Sequence, residues 1–201
     1  MDQSFSILVV CSANICRSPY TQALLQDWAA VTGREDEITV SSAGVAAYPG
    51  DPMCGHAPDH ARVDPFAHAA RELDPAMLID ADLILTAERS QRGAVARMLP
   101  SSRPRLFTLR QAGRLGIALA VPLMDGQLPE GAPPLPVGTV ERLGWLVREL
   151  DAARGLLAAS PEAEADIADL HGPGPHDDAF SQVAAAVASL TSSFTACLRF
   201  A

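Results

Sequence analysis

The chain has 201 residues, 48% of them hydrophobic and 19% charged, which is typical of one soluble globular domain and excludes a disordered chain. Its net charge is −9, all 15 basic residues are arginine, and no basic run occurs, which argues against a nucleic-acid surface, because such surfaces bind by neutralising phosphates. Any anion would have to bind in a local pocket.

The N-terminal half alternates short apolar runs with helical patterns. The first run, residues 5–10, predicts a strand; it is too short for a membrane span or a leader peptide, so we expect a cytoplasmic protein without membrane contact. A helix is predicted from Arg17, with Pro19 in its first turn, where a missing N–H costs nothing, and Gly33 at its end. Further strands are predicted over residues 38–42, 82–86 and 105–109, and further helices over residues 60–73 and 90–98.

The C-terminal half begins with a proline-rich stretch, residues 121–138, which predicts an irregular surface loop inserted into the domain. A helix is predicted after it. The tail predicts a second helix, docked on the sheet through one apolar face: Phe180, Val183, Val187, Leu190, Phe194 and Cys197. The alternation of strands and helices predicts a single α/β domain over residues 1–201, with three layers and a four-stranded parallel twisted sheet flanked by helices.

One stretch, Val10 to Pro19, combines a cysteine at a strand end with an arginine six residues later, at a helix start. A loop at such a turn points backbone N–H groups into one concavity at the positive end of the helix dipole, which binds a tetrahedral oxyanion and favours a thiolate at its floor. The planar guanidinium of Arg17 can hold two phosphoryl oxygens. A cysteine there can also be a buried hydrophobe, but open parallel sheets bind ligands at this position.

The pattern therefore predicts a phosphate loop at the first strand-to-helix turn, with nucleophilic chemistry on phosphate by Cys11. The Ser18 hydroxyl would stabilise the thiolate when it leaves. The residues expected to bind the phosphoryl group are Ser12, Ala13, Asn14, Ile15, Cys16, Arg17 and Ser18.

Val10 to Pro19 closely resembles the signature loop of the low-molecular-weight protein-tyrosine phosphatase family. Further resemblances follow in the family's order along most of the chain: Ser42-Ala43-Gly44, His68 with Arg71, residues 82–85, residues 107–109, and Asp166-Ile167-Ala168-Asp169 with Gly172. The resemblance implies hydrolysis of phosphate monoesters through a phosphocysteine intermediate. The implied substrate is a phosphoprotein, with phosphotyrosine favoured, or a small phosphate ester.

The resemblance also implies catalytic roles. Cys11 would be the nucleophile, Arg17 the phosphoryl clamp, and Asp169 the acid that protonates the leaving oxygen and later activates water. Three other carboxylates lie close enough in sequence to compete for the role of acid: Asp166, Asp177 and Asp178.

Four residues are assigned supporting roles by the same resemblance. Asn14, Ser42 and His68 would form the buried network that holds the phosphate loop, and Tyr48 would be an aromatic wall of the pocket.

Three positions depart from the family pattern. Ala13 replaces the usual glycine, which would cost on the order of 1 kcal/mol if that residue needs φ > 0. Leu170 replaces the proline after the acid, and His171 replaces an aromatic residue. The last two bear on the substrate and on the rigidity of the acid loop.

No metal and no cofactor are expected, because neither the cysteines nor the histidines have zinc-ligand spacing. Two alternative functions are a thiol-dependent arsenate reductase and a catalytically weak anion-binding or interaction module. The reductase needs two further cysteines near the third strand and the following helix, and residues 82–98 contain none. We expect a monomer or weak homodimer.

Overall fold

The computed structural model describes residues 4–55, 67–155, 165–169 and 176–200. In these residues, strands and α-helices alternate through most of the chain. The elements are β1 Phe5–Cys11, α1 Arg17–Val31, β2 Ile38–Gly44, α2 Pro75–Asp80, β3 Leu83–Thr86, α3 Arg89–Met98, β4 Leu106–Thr108, α4 Leu109–Met124, α5 Thr139–Ala152 and α6 His176–Arg199, with short 3-10 helices at Pro100–Arg105 and Ala153–Gly155.

The strands form one parallel sheet in the order β2-β1-β3-β4. Cys11 pairs with Gly44 at the ends of β1 and β2, and Thr86, at the end of β3, lies between Val10 and Thr108. All four carboxyl ends therefore meet at one edge of the sheet, where ligands bind in open parallel sheets.

Both faces of the sheet are covered by helices, and the two central strands, β1 and β3, are mostly apolar on both sides. Along β1, Ile7 and Val9 join the larger core with α1, α4, α5 and α6, while Leu8 and Val10 join a smaller core with α2 and α3. Near-continuous apolar strands are expected in a sheet buried on both faces. The predicted three-layer α/β fold with a four-stranded parallel sheet is confirmed.

The predicted apolar face of the tail helix is buried, but α6 docks mainly on α4 and α1 rather than on the sheet. At its start, the Phe180 ring meets the edge of Tyr20 with centroids 4.8 Å apart. Within the described residues, Asp177–Arg199 is the one segment long and apolar enough to span a membrane, and half of it is buried inside the fold. That burial identifies α6 as a core helix of this domain.

The predicted loop over residues 121–138 is wrong at its beginning, because α4 continues to Met124. Pro122 lies in its last turn, where the helix is held by the burial of Leu119 and Leu123. Tertiary packing outweighs the local cost of proline there. The remainder is irregular as predicted and is bound to α5, whose Trp145 Nε1 donates to the Pro133 carbonyl at 3.0 Å.

The helix predicted over residues 60–73 begins outside the described residues, and its described part, residues 67–73, is not helical. The Arg71 N–H donates to Asn14 Oδ1 at 2.9 Å, and the Leu73 N–H donates to the Gly44 carbonyl at 2.8 Å. These bonds hold the segment extended beside the end of β2. Its backbone N–H groups donate to the phosphate loop and to β2 instead of to carbonyls of the same segment, as they would in a helix.

Candidate active site

Cys11 ends β1 with its sulfur buried at the floor of the loop that leads into α1. The Asn14 N–H donates to this sulfur at 3.3 Å, and Ser18 Oγ lies 3.0 Å from it. Because Ser18 Oγ accepts a hydrogen bond from Asn14 Nδ2 at 2.9 Å, its own proton is available to the sulfur. Two donors can therefore stabilise a thiolate at this position.

Asn14 lies at the centre of the hydrogen-bond network of the loop, and it is fully buried. Its Nδ2 also donates to Ser42 Oγ at 2.9 Å, its Oδ1 accepts from the Arg71 N–H, and its carbonyl lies 2.7 Å from His68 Nε2. The structure thus brings Asn14, Ser42 and His68 together.

The left-handed backbone conformation of the loop falls on Asn14, with φ of 57°, and not on Ala13. Asparagine tolerates this region better than most residues, so alanine at position 13 carries no left-handed strain. The energetic cost expected for alanine at a positive φ therefore does not arise at Ala13.

Gly44 is needed for a different reason, the close approach of β2 to the loop. A Cβ atom on Gly44 would lie 2.5 Å from the Ser12 carbonyl oxygen and 2.9 Å from the Asn14 nitrogen. Real Cβ atoms essentially never approach backbone that closely, so a side chain at this position would displace the loop.

Arg17 lies at the start of α1 with only 3% of its surface exposed. Its Nη1 is ion-paired with Glu88 and donates to the Ile167 carbonyl at 2.9 Å, and its Nη2 lies 3.4 Å from Asp169 Oδ2. The guanidinium is therefore fixed by protein groups, and its buried charge is paired with two carboxylates.

Glu88 and Gln91 contact the phosphate-loop residues although the sequence did not predict them as site residues. Glu88 caps α3 and forms a capping box with Gln91, whose Nε2 donates to Ser12 Oγ at 3.1 Å. A Glu-x-x-Gln pair directly after the third strand was the available signal, since that position lies at the ligand-binding edge of the sheet.

Asp166 and Asp169 differ sharply in their surroundings. Asp166 Oδ1 accepts from the Arg89 N–H at 2.8 Å, and its carboxylate is ion-paired with the Arg89 side chain. Between them, Ile167 is fully buried, and its N–H donates to the Ala87 carbonyl at 3.0 Å. Asp166 thus anchors the segment, whereas the Asp169 side chain is half exposed beside Arg17.

The remaining predicted residues are exposed or lie outside the described part. Asp177 and Asp178 are exposed in the first turn of α6, where negatively charged carboxylates interact favourably with the helix dipole. Tyr48 is 77% exposed in the segment after β2, whose Ala46 N–H donates to the Ser12 carbonyl at 2.9 Å. Leu170 and His171 lie outside the described residues.

Cys16 and Cys54 form a pair of neighbouring thiols at the phosphate loop. The Cys54 N–H donates to the Ile15 carbonyl at 2.7 Å, and the thiols of Cys16 and Cys54 are hydrogen-bonded. Burial raises the pKa of the Cys16 thiol far above its ordinary value, and the contact with Cys54 adds to the rise. Cys16 is therefore a thiol at neutral pH, and Cys54 is partly exposed.

No group of three or more histidine, cysteine or carboxylate side chains in the described ranges could hold a metal ion. The positive charge beside Cys11 comes instead from Arg17 and from the start of α1.

Comparison with known sequences gives a match to the family model described as low molecular weight phosphotyrosine protein phosphatase over residues 6–113. A probable low molecular weight protein-tyrosine-phosphatase, EpsP of Ralstonia nicotianae, is 35% identical over 116 residues, which are 56% of this chain and 76% of that protein. Wzb of Escherichia coli K12 is 34% identical over 105 residues, 51% of this chain and 67% of that protein.

Solved structures share the fold at lower identity. YfkJ from Bacillus subtilis aligns with a TM-score of 0.63 and 20% identity, covering 96% of each chain. Vibrio vulnificus Wzb in complex with benzylphosphonate aligns with a TM-score of 0.57 and 22% identity, covering 96% of this chain and 98% of that one. The family match begins in β1, covers the phosphate loop and the other three strands, and ends at the start of α4. The chain therefore belongs to the low molecular weight phosphotyrosine protein phosphatase family.

Proposed function

We propose that this protein is a phosphatase that hydrolyses phosphate monoesters, protein phosphotyrosine in particular, through a phosphocysteine intermediate on Cys11. The observation that carries the proposal is the position of Arg17, which starts the helix behind the Cys11 loop and pairs with Asp169. Cys11, Arg17 and Asp169, which we propose as nucleophile, clamp and acid, thereby lie at the carboxyl edge of the sheet. The activity in the relatives' names supports the same reaction.

In the first step, the Cys11 thiolate attacks phosphorus while Arg17 holds two phosphoryl oxygens. The bond to the leaving oxygen breaks, and the Asp169 carboxyl protonates that oxygen. The incoming phosphoryl group replaces Asp169 as the partner of Arg17, while Glu88 keeps the guanidinium in place. Pre-positioned charge of this kind stabilises the transition state without reorganisation.

In the second step, Asp169 takes a proton from water, whose oxygen attacks phosphorus and displaces the Cys11 thiolate. The departing sulfur receives a hydrogen bond from Ser18, whose oxygen is already occupied by Asn14. Inorganic phosphate then leaves. The loop network thus orients Ser18 for the step that regenerates the free enzyme.

Turnover of p-nitrophenyl phosphate tests this proposal directly. We expect activity to be unchanged by EDTA and to be inhibited by orthovanadate, because Arg17 and the helix start supply the charge that a metal would otherwise provide. Phosphate release is the measurement. Loss of activity on chelation, restored by a divalent cation, would contradict the mechanism. Absence of turnover would favour an anion-binding module, and arsenate-dependent thiol consumption would favour a reductase.

Gly44→Ala should lower kcat/KM by about 10²-fold, since a Cβ atom there displaces the Ser12 and Asn14 backbone, and a shift near 1 Å is enough for such a loss. Steady-state kinetics and the midpoint of thermal unfolding measure both effects. Gly155→Ala is the matched control, because its Cβ meets open space. Near-normal kinetics in Gly44→Ala would show that the loop does not depend on this contact.

Mild peroxide should produce a reversible Cys11–Cys16 disulfide, because the two cysteines flank one tight loop. Peroxide converts the Cys11 thiolate to a sulfenic acid, and Cys16 attacks it with release of water. The pKa of Cys16 is raised by burial, so disulfide formation should accelerate as pH rises, with the fraction of Cys16 thiolate.

Peptide mapping after a peroxide pulse at several pH values measures that disulfide, and Cys54→Ser tests the neighbouring thiol. The Cys11–Cys16 link should persist in Cys54→Ser. Sulfonic acid at Cys11 with Cys16 still reduced would count against the protective role.

The family implies a phosphoprotein or phosphate ester as the substrate. The monomeric or weakly dimeric state, the cytoplasmic location and the absence of nucleic-acid and membrane partners stay predictions from the sequence.

A further inference from the structure

Cys11, Cys16 and Cys54 all lie at the phosphate loop, although the proposed hydrolysis uses the sulfur of Cys11 alone. The Cys54 N–H donates to the Ile15 carbonyl at 2.7 Å, which fixes Cys54 against the residue that precedes Cys16. The side chains of Cys16 and Cys54 are hydrogen-bonded to each other, and Cys16 also interacts electrostatically with Cys11. Cys16 is therefore a neighbour of both other thiols.

The three thiols differ in their access to solvent. Cys11 is 3% exposed and Cys16 is 4% exposed, whereas Cys54 is partly exposed. Thiol–disulfide exchange requires the attacking thiolate to reach a sulfur atom, so access limits its rate. Of these three cysteines, Cys54 is therefore the one best placed to react with a thiol from outside.

A disulfide between Cys11 and Cys16 would weaken the contacts that stabilise the Cys11 thiolate. The Asn14 N–H and the Ser18 hydroxyl lie 3.3 Å and 3.0 Å from this sulfur, and both residues are fully buried. A disulfide sulfur carries no negative charge, so it is a poorer acceptor for both donors. Release of Cys11 as a thiolate restores these hydrogen bonds.

The direction of exchange follows from the two sulfur atoms of that disulfide. Cys54 contacts Cys16, so the Cys16 sulfur is the one that it attacks and Cys11 is the one that it displaces. Burial raises the pKa of the Cys16 thiol, and Cys54 and Cys11 add to the rise, so Cys16 would be a poor leaving group in the opposite exchange.

We propose that Cys54 takes over the disulfide of the oxidised enzyme and returns Cys11 to its reactive form. Peroxide oxidises the Cys11 thiolate to a sulfenic acid with release of hydroxide, and Cys16 displaces water from it to form the first disulfide. Cys54 then loses its proton to solvent and attacks the Cys16 sulfur. The Cys16–Cys54 bond forms as the Cys11–Cys16 bond breaks, and the electron pair of the broken bond leaves on Cys11.

An external dithiol closes the cycle by reducing the Cys16–Cys54 disulfide and is itself oxidised to a disulfide. The phosphatase would thus regain its nucleophile while the oxidation is held by two thiols that hydrolysis does not use. This inference rests on the reactive Cys11 thiolate of the proposed function and adds a second disulfide site to it.

The experiment applies a short pulse of hydrogen peroxide, ended by catalase, and adds no reductant. Peptide mapping measures both disulfides over time, iodoacetamide labelling measures reduced Cys11, and p-nitrophenyl phosphate measures turnover. The test variant is Cys54→Ser. The control variant is Cys197→Ser, which removes a buried thiol of α6 and keeps a donor to the Arg142 carbonyl.

In wild type and Cys197→Ser, we expect the Cys11–Cys16 disulfide to appear first and the Cys16–Cys54 disulfide to replace it, with turnover returning as Cys11 is released. In Cys54→Ser, the first disulfide should persist, and turnover should stay about tenfold below that of wild type until dithiothreitol is added. Before the pulse, Cys54→Ser should turn over substrate like wild type.

Cys11→Ser separates this exchange from direct oxidation of Cys54. It has no sulfenic acid to pass on, so the Cys16–Cys54 disulfide should not form during the same pulse. Equal formation in Cys11→Ser would overturn the inference, as would a Cys11–Cys16 disulfide that persists in wild type or over-oxidation of Cys11 without either disulfide. If untreated wild type fails to hydrolyse p-nitrophenyl phosphate, the proposed function is wrong instead, and labelling with peptide mapping still tests the exchange.

Discussion

Cys11→Ser is expected to lower turnover of p-nitrophenyl phosphate by more than about 10³-fold, the loss expected when the nucleophile of a covalent mechanism is removed. The serine hydroxyl would occupy the place of the thiol, between the Asn14 N–H and Ser18 Oγ, but it is a much weaker nucleophile at neutral pH. The loop network does not depend on sulfur chemistry, so the fold should persist.

Binding of inorganic phosphate to Cys11→Ser, followed by calorimetry, separates loss of chemistry from loss of the site. We expect binding to be retained, because the Arg17 guanidinium and the helix start are untouched. Cys54→Ser is a matched control, since it removes a nearby thiol that has no role in the proposed steps. Activity in Cys11→Ser above about a thousandth of wild type would mean that another group attacks phosphorus.

Asp169→Asn should slow hydrolysis of phenyl phosphate by about 10²–10⁴-fold and hydrolysis of an activated aryl phosphate far less. A poor leaving group needs a proton as its bond to phosphorus breaks, whereas an activated phenolate leaves unaided. The Asp169 carboxylate is half exposed and lies 3.4 Å from Arg17 Nη2, a position from which it can reach a leaving oxygen. The measurement is kcat/KM across a series of leaving groups.

Asp166→Asn supplies the matched control within the same segment. The Asp166 carboxylate is engaged by Arg89, and the asparagine oxygen can still accept from the Arg89 N–H. We therefore expect a modest loss of equal size on both substrates. A selective loss in Asp166→Asn, or equal slowing of both substrates in Asp169→Asn, would show that the acid is misassigned.

The strands and the sheet were predictable because their apolar runs are short and end in turn residues. Errors arose where tertiary contacts override local preference. Burial of Leu119 and Leu123 carries α4 through Pro122, and bonds from the Asn14 side chain and from Gly44 hold residues 67–73 extended. Neither kind of contact produces a hydrophobic periodicity in the sequence of the segment whose conformation it determines.

Some residues of the candidate site were predictable from the sequence and others were not. Cys11 and Arg17 stand out because spacing, strand end and helix start fall within ten residues. Glu88 and Gln91 reach the loop from α3, and the thiol contact of Cys54 depends on a segment that folds back onto Ile15. Such neighbours are set by the packing of distant elements. The Glu-x-x-Gln pair after the third strand indicates a helix cap in the sequence, but it does not identify the phosphate loop as the partner of these side chains.

Ile167 connects Arg17 with the segment that carries Asp169. Its carbonyl accepts from Arg17 Nη1, its N–H is bound to Ala87, and Asp169 follows two residues later. Removing the Arg17 side chain would therefore withdraw a support of the proposed acid as well as the proposed phosphoryl clamp. We therefore expect the effects of removing Arg17 and Asp169 on kcat/KM not to be additive, because each side chain supports the other.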